Sequence, residues 1–281
     1  MILAIDIGGT YTKYGYVCDD KVLSKGKWKT VFSFDEVCKK IEELIRDDTE
    51  RLCISSGGFW DEYGNGLGYE SIPETAKNNL VKFFKEKYGF PVTIQNDARC
   101  ALLCEKKYGS LKECENAVAF VLGSSVGSAV LINGKLYEGA HKKAGMFFKM
   151  PEALGPYYTY ENFANTVVQT NAYKKAFSLE SCNMKDVENF AQNGEEIAEN
   201  ILRNYVSAVS KKLLYSKLMY DPEKIVIGGG IANSSMIFDS ILQEYNNLLC
   251  VIDEKNDIPI EKTFFGEESN LIGATLEEYI K

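Results

Sequence analysis

Ile5-Asp6-Ile7-Gly8-Gly9-Thr10 is the stretch on which the reading of this chain turns. Ile2, Leu3, Ala4, Ile5 and Ile7 suit a largely buried strand. That strand runs straight into two glycines, which let the backbone turn tightly and leave no side chain between its N–H groups and a ligand. A strand that ends on bare amides can bring them up to a phosphate; a plain glycine hairpin would use the same residues. Asp6 is the odd member of the run. A carboxylate inside such a strand is costly without a partner, so it either bonds to the turn or faces a site holding a metal or a hydroxyl.

Downstream, Tyr11 to Val17 alternates polar and apolar residues as a second strand would. Asp19-Asp20 supplies a turn, and Val22 to Trp28 returns as a third strand. From Ala117 the same pattern recurs: apolar strand, small-residue turn, alternating strand, polar turn, third strand. Gly9 precedes Lys21-Val22-Leu23 by the same interval of twelve that separates Gly123 from Lys135-Leu136-Tyr137, with Gly26 and Gly139 closing the two copies. The matched spacing implies an internal duplication, in which two glycine turns face each other across a cleft and hold a phosphate chain between them.

Between and after the copies the chain alternates strands with helices. Ser33 and Glu36 form a capping-box pattern ahead of an apolar stripe through Phe34, Val37, Ile41, Leu44 and Ile45. Arg51 to Ser56 reads as a short buried strand, and Phe59 to Ile72 as an irregular functional loop. A helix is predicted from about Thr75 to Tyr88, closed by Gly89 and Pro91. Val92 to Gln95 is a strand that meets Asn96-Asp97-Ala98 at the head of a helix running to Gly109. Either Asn96 or Asp97 is simply the helix cap, or Asp97 is placed to accept a proton from a ligand hydroxyl. Further helices are predicted at about Tyr160 to Ala176, Lys185 to Ala191 and Glu195 to Tyr215. Lys224 to Ile227 then forms a strand ending in Gly228-Gly229-Gly230, three glycines that permit close approach of a flat group such as a nucleotide, and a helix begins near Asn233 or Ser234. A final helix covers roughly Leu271 to Ile280. Neither the P-loop nor the Gly-x-Gly-x-x-Gly fingerprint is present.

Composition narrows the partners. The 281 residues are 45% hydrophobic and 26% charged, enough for two cores of roughly 100–150 residues each. A net charge of -8 argues against nucleic-acid and anionic-membrane surfaces, which need a basic stripe, and leaves small ligands as the natural partners. The eight cysteines contain no Cys-x-x-Cys pair and read as small buried hydrophobes in a reducing cytoplasm. No signal peptide or membrane-spanning run is apparent.

Four stations, Asp6-Ile7-Gly8-Gly9-Thr10, Asn96-Asp97-Ala98, Gly123-Ser124-Ser125-Val126-Gly127 and Ile227-Gly228-Gly229-Gly230-Ile231, resemble in order and spacing the phosphate, catalytic, second phosphate and adenosine motifs of the ROK family. That family comprises sugar kinases and sugar-responsive repressors on the actin-like ATPase fold. The resemblance implies an α/β protein of two actin-like (ribonuclease H-like) domains with an ATP and sugar cleft between them. The expected domains are 1–113, joined by the C-terminal helix at about 268–281, and 114–267. It also implies ATP-dependent phosphorylation of a sugar or glycoside hydroxyl, the 6-hydroxyl of a hexose or β-glucoside being the first expectation.

By the same resemblance Asp97 is the general base and Asn96 orients the sugar, with Gly58, Glu161 and Met146 on the substrate side. Gly8, Gly9, Thr10, Lys13, Gly123, Ser124 and Ser125 line the phosphates, Gly228, Gly229 and Gly230 cover the adenosine, and Asp6 organises Mg²⁺ through water. A cytoplasmic homodimer is implied as well. Rival readings are a sugar sensor of the repressor branch, whose DNA-binding segment would precede the strand at Ile2, a polymerising actin-like ATPase, and a degenerate member that binds sugar without turnover.

The departures from the family pattern are as informative. Many members carry Ala-Gly-Glu-x-Gly-His, whose Glu binds sugar and whose His joins a cysteine cluster around zinc. Here the stretch is Ala144-Gly145-Met146-Phe147-Phe148-Lys149 and no cysteine run follows, so no zinc site is expected and His141 reads as a surface or loop residue. Ser125 stands where relatives usually have the second glycine of Gly-Thr-Gly, and its Cβ narrows the approach to a ligand. Loss of the Glu removes an acceptor worth on the order of 1–3 kcal/mol to a buried hydroxyl. A Met-Phe-Phe wall suits a substrate with a bulky aglycone or an altered sugar. These resemblances point to a zinc-free subgroup that includes β-glucoside kinases.

Overall fold

The computed structural model describes residues 1–150 and 163–276. The chain opens with the expected meander: β1 (Ile2–Ile7), β2 (Tyr11–Cys18) and β3 (Lys21–Lys29). Next come α1 (Phe34–Glu42), β4 (Arg51–Ser56), the short strands β5 (Phe59–Trp60) and β6 (Gly66–Gly68), α2 (Pro73–Asn78), α3 (Leu80–Tyr88), β7 (Val92–Asn96) and α4 (Asp97–Lys107). The second copy is β8 (Ala117–Leu122), β9 (Val126–Ile132) and β10 (Lys135–Leu136), followed by a 3-10 turn at Phe147–Lys149. The remainder is α5 (Thr166–Ala176), α6 (Met184–Gln192), α7 (Glu196–Tyr220), β11 (Lys224–Gly228), α8 (Ser235–Val251), β12 (Ile260–Lys262) and α9 (Ser269–Gly273).

The two principal sheets have the same strand order. One runs β3-β2-β1-β4-β7 and the other β10-β9-β8-β11-β12, in each case a three-strand meander extended by two later strands. In the first, β1 pairs antiparallel with β2 and parallel with β4. In the second, β11 pairs parallel with both β8 and β12. This shared topology is the structural counterpart of the sequence repeat. The copies differ in length: β3 has nine residues and β10 only two.

The chain divides into two compact units. The first comprises Met1–Glu115, Ala129–Gly145 and the chain from Thr263; the second comprises Asn116–Ser128 and Met146–Lys262. In the first unit the period-two alternation of β1 supplies both faces of the sheet. Leu3, Ile5 and Ile7 pack with Val37, Ile41, Leu80 and Phe84 from the helices on one side. Ala4 faces the other way, with Val17, Cys104, Leu271 and Ile272. Asp6 shares that second face.

Several local expectations are corrected. Ser33 caps α1 without a side-chain bond, so no capping box forms with Glu36; the Phe34 N–H donates instead to Glu74 Oε2 at 3.1 Å. The helix expected from 75 to 88 is broken at Asn79, which adopts φ 49° and accepts the Lys82 N–H as cap of α3. Asparagine tolerates this left-handed conformation because its side chain satisfies the local backbone. The segment 59–72 is not wholly irregular, since β5 and β6 pair within it. Gly26 lies inside β3 rather than closing it, opposite Tyr14, whose ring a Cβ would meet at 2.6 Å. The last helix begins at Ser269, and the part of the expected helix beyond residue 276 lies outside the described residues. All eight cysteines are free thiols, but Cys18 and Cys250 are exposed and Cys182 is half-buried rather than buried. Among the described residues no helix is long and apolar enough to cross a membrane.

Helices α4 and α9 approach each other closely at Gly273. A Cβ on Gly273 would overlap the carbonyl oxygen of Cys100, so only hydrogen fits. Gly273→Ala is therefore expected to force the helices apart and cost about 1–3 kcal/mol, read as a lower urea midpoint at unchanged slope; an unaltered midpoint would refute the close approach.

Candidate functional site

The first unit holds two of the carboxylates predicted from sequence, Asp6 and Asp97. Asp6 and Ser55 are register partners across β1 and β4, and the Ser55 hydroxyl donates to Asp6 Oδ1 at 2.9 Å. Asn270 of α9 donates to the same oxygen at 3.2 Å. Asp6 therefore bonds to a neighbouring strand and a late helix rather than to its own turn. It is 7% exposed, and burial raises its carboxyl above the usual range, against the opposing effects of Ser55, Lys13 and Asn270.

Asp97 opens α4. Asn96 is the cap, its Oδ1 accepting the Arg99 N–H at 3.2 Å, and the Asp97 carboxylate accepts the Ala98 N–H at 2.8 Å, with weaker support from its own backbone N–H and the Asn96 side chain. Burial, and next the charge of Asp6, push the Asp97 carboxyl up to about 6. Asn96 Nδ2 donates to the Gly58 carbonyl at 2.8 Å, so these two residues, both expected from sequence on the substrate side, are joined directly. Arg99, absent from the sequence reading, is 1% exposed and pairs with Glu138 at 2.7 Å.

The first glycine turn is closed by Gly8 N–H donating to the Tyr11 carbonyl at 3.2 Å, while Gly9 and Thr10 are exposed at its tip. Thr30, also missed in the sequence, pins the turn: its hydroxyl donates to the Gly8 carbonyl at 2.7 Å. Lys13 stands opposite Asp6 across β1 and β2, and its ammonium lies 3.1 Å from Glu267 Oε2.

In the second unit the corresponding turn is built alike. Gly123 N–H donates to the Ser125 carbonyl at 3.0 Å, and the Thr166 hydroxyl donates to the Gly123 carbonyl at 3.0 Å. Gly228 ends β11. Gly229 has φ 91°, and a Cβ there would overlap the backbone of Leu122, so this position requires glycine twice over. Beside these turns lies a cavity of about 640 Å³, lined among others by Gly123, Asn183, Glu188, Gly230 and Ser234. The Ser234 hydroxyl, cap of α8, donates to Glu188 Oε1 at 2.7 Å and fixes that wall. A volume of this size falls within the ordinary range for a small-molecule site.

The stretch after β10 departs from expectation. Met146 precedes the 3-10 turn, but Phe147 is 2% exposed and packs on Phe120 and Tyr220 at ring separations of 5.2 and 6.0 Å. Phe147 belongs to the core of the second unit and not to a substrate wall. His141 is exposed. Glu161 lies outside the described residues.

The family model described as the ROK family matches residues 2–276. The chain belongs to the ROK family. A β-glucoside kinase of Listeria innocua is 26% identical over 244 residues, covering 83% of each chain. Among solved structures, a ROK family protein from Streptococcus pneumoniae in complex with sucrose superposes with a TM-score of 0.81 at 22% identity, covering 97% of this chain and 96% of that one. A ROK family glucokinase from Streptomyces griseus in complex with glucose and AMPPNP gives 0.78 at 19% identity, covering 97% of each. These likenesses establish the actin-like fold.

The raised carboxyl of Asp97 carries a stability consequence with a definite sign. Its folded value lies above its unfolded value, so folding is favoured when it is protonated and the penalty grows as pH rises through about 6. Asp97→Asn should therefore stabilise the protein at pH 7–8 by up to about 3 kcal/mol, with the gain vanishing below about pH 4. Urea unfolding of both proteins at pH 4 and pH 8 checks this, and an equal difference at the two values would refute it.

Proposed function

We propose that this ROK protein is an ATP-dependent sugar kinase that transfers the γ-phosphoryl group to a hydroxyl of a hexose or β-glucoside, the 6-hydroxyl being the leading acceptor. The observation that carries this reading is the Asp97 carboxyl. It sits at a strand–helix junction, next to a fixed Asn96, with its protonation poised near neutrality. A general base works best in that range, since it is ionised in the cell yet still basic enough to take a proton. The similarity to a β-glucoside kinase and the AMPPNP bound by a structural neighbour support the same chemistry.

In this mechanism Asp97 accepts the proton of the acceptor hydroxyl as that oxygen attacks. Asn96 uses its remaining hydrogen-bonding capacity to orient the sugar, Gly58 borders it, and Glu161 supplies a further acceptor. Met146 meets the sugar with an apolar surface where many relatives present Glu. The adenosine occupies the cavity beside Gly228–Gly230, and the phosphates are held by Gly8, Gly9, Thr10, Gly123, Ser124 and Ser125, with Lys13 adding positive charge. Positioning and charge stabilisation of this sort do most of the work in phosphoryl transfer.

The donor set fits a hydrated Mg²⁺. Asp6 Oδ1 accepts the bonds from both Ser55 and Asn270, leaving Oδ2 for an outer-sphere contact, and the Asp6–Asp97 repulsion is relieved by a nearby cation. Mg²⁺ is commonly held by one or two carboxylates, waters and substrate phosphates. When bound it supplies charge neutralisation at the phosphates. The protein is proposed to act in the cytoplasm as a homodimer. A second reading, sugar binding without turnover, is favoured by Met146 and Ser125, where acceptor and glycine are both replaced.

ATP consumption across hexoses, amino sugars and β-glucosides, in wild type and Asp97→Asn, tests the proposal. Turnover of at least one sugar is expected, with kcat falling on the order of 10²–10⁴-fold in the variant. For the wild type kcat/KM should rise through about pH 6 to a plateau. Equal turnover by the two proteins would remove Asp97 as base, and sugar-induced thermal stabilisation without any turnover would establish the second reading.

A further inference from the structure

Arg99 is a buried cation that nothing in the phosphate or nucleotide chemistry requires. It sits two residues beyond Asp97, and its side chain is 1% exposed. Burial lowers its pKa, and the adjacent Glu138 opposes that shift. Its guanidinium makes contacts to three separate segments of the first unit. Nη1 donates to Glu138 Oε1 at 2.7 Å and lies 3.5 Å from Gln95 Oε1. Nη2 donates to the Lys142 carbonyl at 2.9 Å, and the guanidinium carbon stands 5.3 Å from the centre of the Phe59 ring.

Each segment leads to the sugar side. Gln95 Oε1 also accepts the Asn96 N–H at 2.8 Å, and Asn96 in turn holds the Gly58 carbonyl next to Phe59. Residues 138–144 form a compact turn, with Ala144 N–H donating to the Glu138 carbonyl at 3.0 Å, and run directly into Gly145-Met146. That turn is clipped a second time, by Lys142 Nζ at 2.8 Å from Glu62. A buried ion pair is a poor way to gain stability, because a well-packed apolar group of similar volume does as well or better. A planar fork of donors does what an apolar group cannot: it fixes the relative placement of several acceptors at once.

We propose that Arg99 is the positioning residue of the sugar site, locking the Asn96–Asp97 turn, the Phe59 strand and the Glu138–Lys142 turn into one arrangement without itself touching the reacting atoms. This rests on the kinase reading for its kinetic consequence, while its structural consequence can be measured without turnover. The variants are Arg99→Met, Arg99→Lys, Glu138→Gln and Glu138→Ala. In Arg99→Met and Glu138→Ala, kcat/KM for the sugar should fall on the order of 10–100-fold while KM for ATP stays within about twofold. Glu138→Gln keeps an acceptor and should retain most of the activity. Arg99→Lys keeps the charge but not the fork, and should fall between.

Hydrogen exchange supplies the independent readout. The amides of Asn96, Arg99 and Ala144 should exchange at least about tenfold faster in Arg99→Met, while those of β8 and β11 stay unchanged. If wild type shows no turnover of any sugar, the kinase reading fails but this exchange pattern still decides the positioning role. Unchanged exchange overturns the proposal, as does a parallel loss in sugar and ATP parameters accompanied by global destabilisation, which would mark Arg99 as an ordinary core residue. Should Arg99→Met fail to fold, Glu138→Ala and Arg99→Lys carry the same two measurements.

Discussion

The pairing of β1 with β4 is the constraint on which the functional half of the first unit depends. It sets Asp6 against Ser55 and so places a carboxylate, at 7% exposure, on the same sheet face as Ala4. Because side chains alternate along a strand, a register shift of one residue would send Asp6 into the Leu3, Ile5 and Ile7 core. The apolar face therefore enforces the position of the polar one. Asp6 then raises the neighbouring Asp97, and the basicity of the latter is in part a product of strand register. A carboxyl pushed to about 6 by burial and a like charge is poised for proton transfer, where an exposed aspartate would be too weak a base.

The duplicated topology shows which features of a glycine turn matter. Both turns are closed by the first glycine's N–H and both have that glycine's carbonyl pinned by a threonine hydroxyl, Thr30 in one and Thr166 in the other. The two threonines come from unlike places, one just beyond the end of β3 and one in the first turn of α5. A common solution reached from different elements implies that the orientation of the tip amides is what is being held. Pinning the carbonyl limits rotation of the adjoining peptide plane, so the tip is organised in the free protein, and on the proposed reading less ordering remains to be done on phosphate binding.

Much of this was legible in the sequence for physical reasons that can be named. Strand-to-glycine junctions at Ile7-Gly8 and Gly228-Gly229 join an apolar run to a residue that backbone geometry demands, and Asn96-Asp97 joins cap chemistry to strand chemistry. Signals of that kind are local. What escaped is set by residues far apart in the chain. Asn79 reads as an ordinary helical residue until Tyr63 and Asn65 are brought to its side chain at 3.1 and 2.9 Å. Arg99 gives no sign in the sequence of the ion pair it makes with Glu138, and Thr30 and Thr166 are ordinary threonines in one dimension. Within the apolar run Met146-Phe147-Phe148, Phe147 turns into the core, because hydrophobicity alone does not say which neighbour a side chain will find.

Phe147 shows what that run does instead. It anchors the segment after β10 to the core of the second unit. Burying one phenylalanine against Phe120 and Tyr220 supplies about 2–3 kcal/mol, with aromatic contact adding to it. The direction of Phe147 into the core also decides what its neighbours can do. Met146 and Phe148 flank a residue that is fixed, and both are only partly buried. Met146 is thus a flexible thioether held beside a rigid aromatic. A thioether accommodates different apolar shapes more readily than a carboxylate, which demands a hydroxyl. On the proposed kinase reading, replacing the carboxylate shifts selectivity from hydroxyl pattern towards apolar contact, while Asp97 and Asn96 stay fixed by β7 and α4 of the first unit.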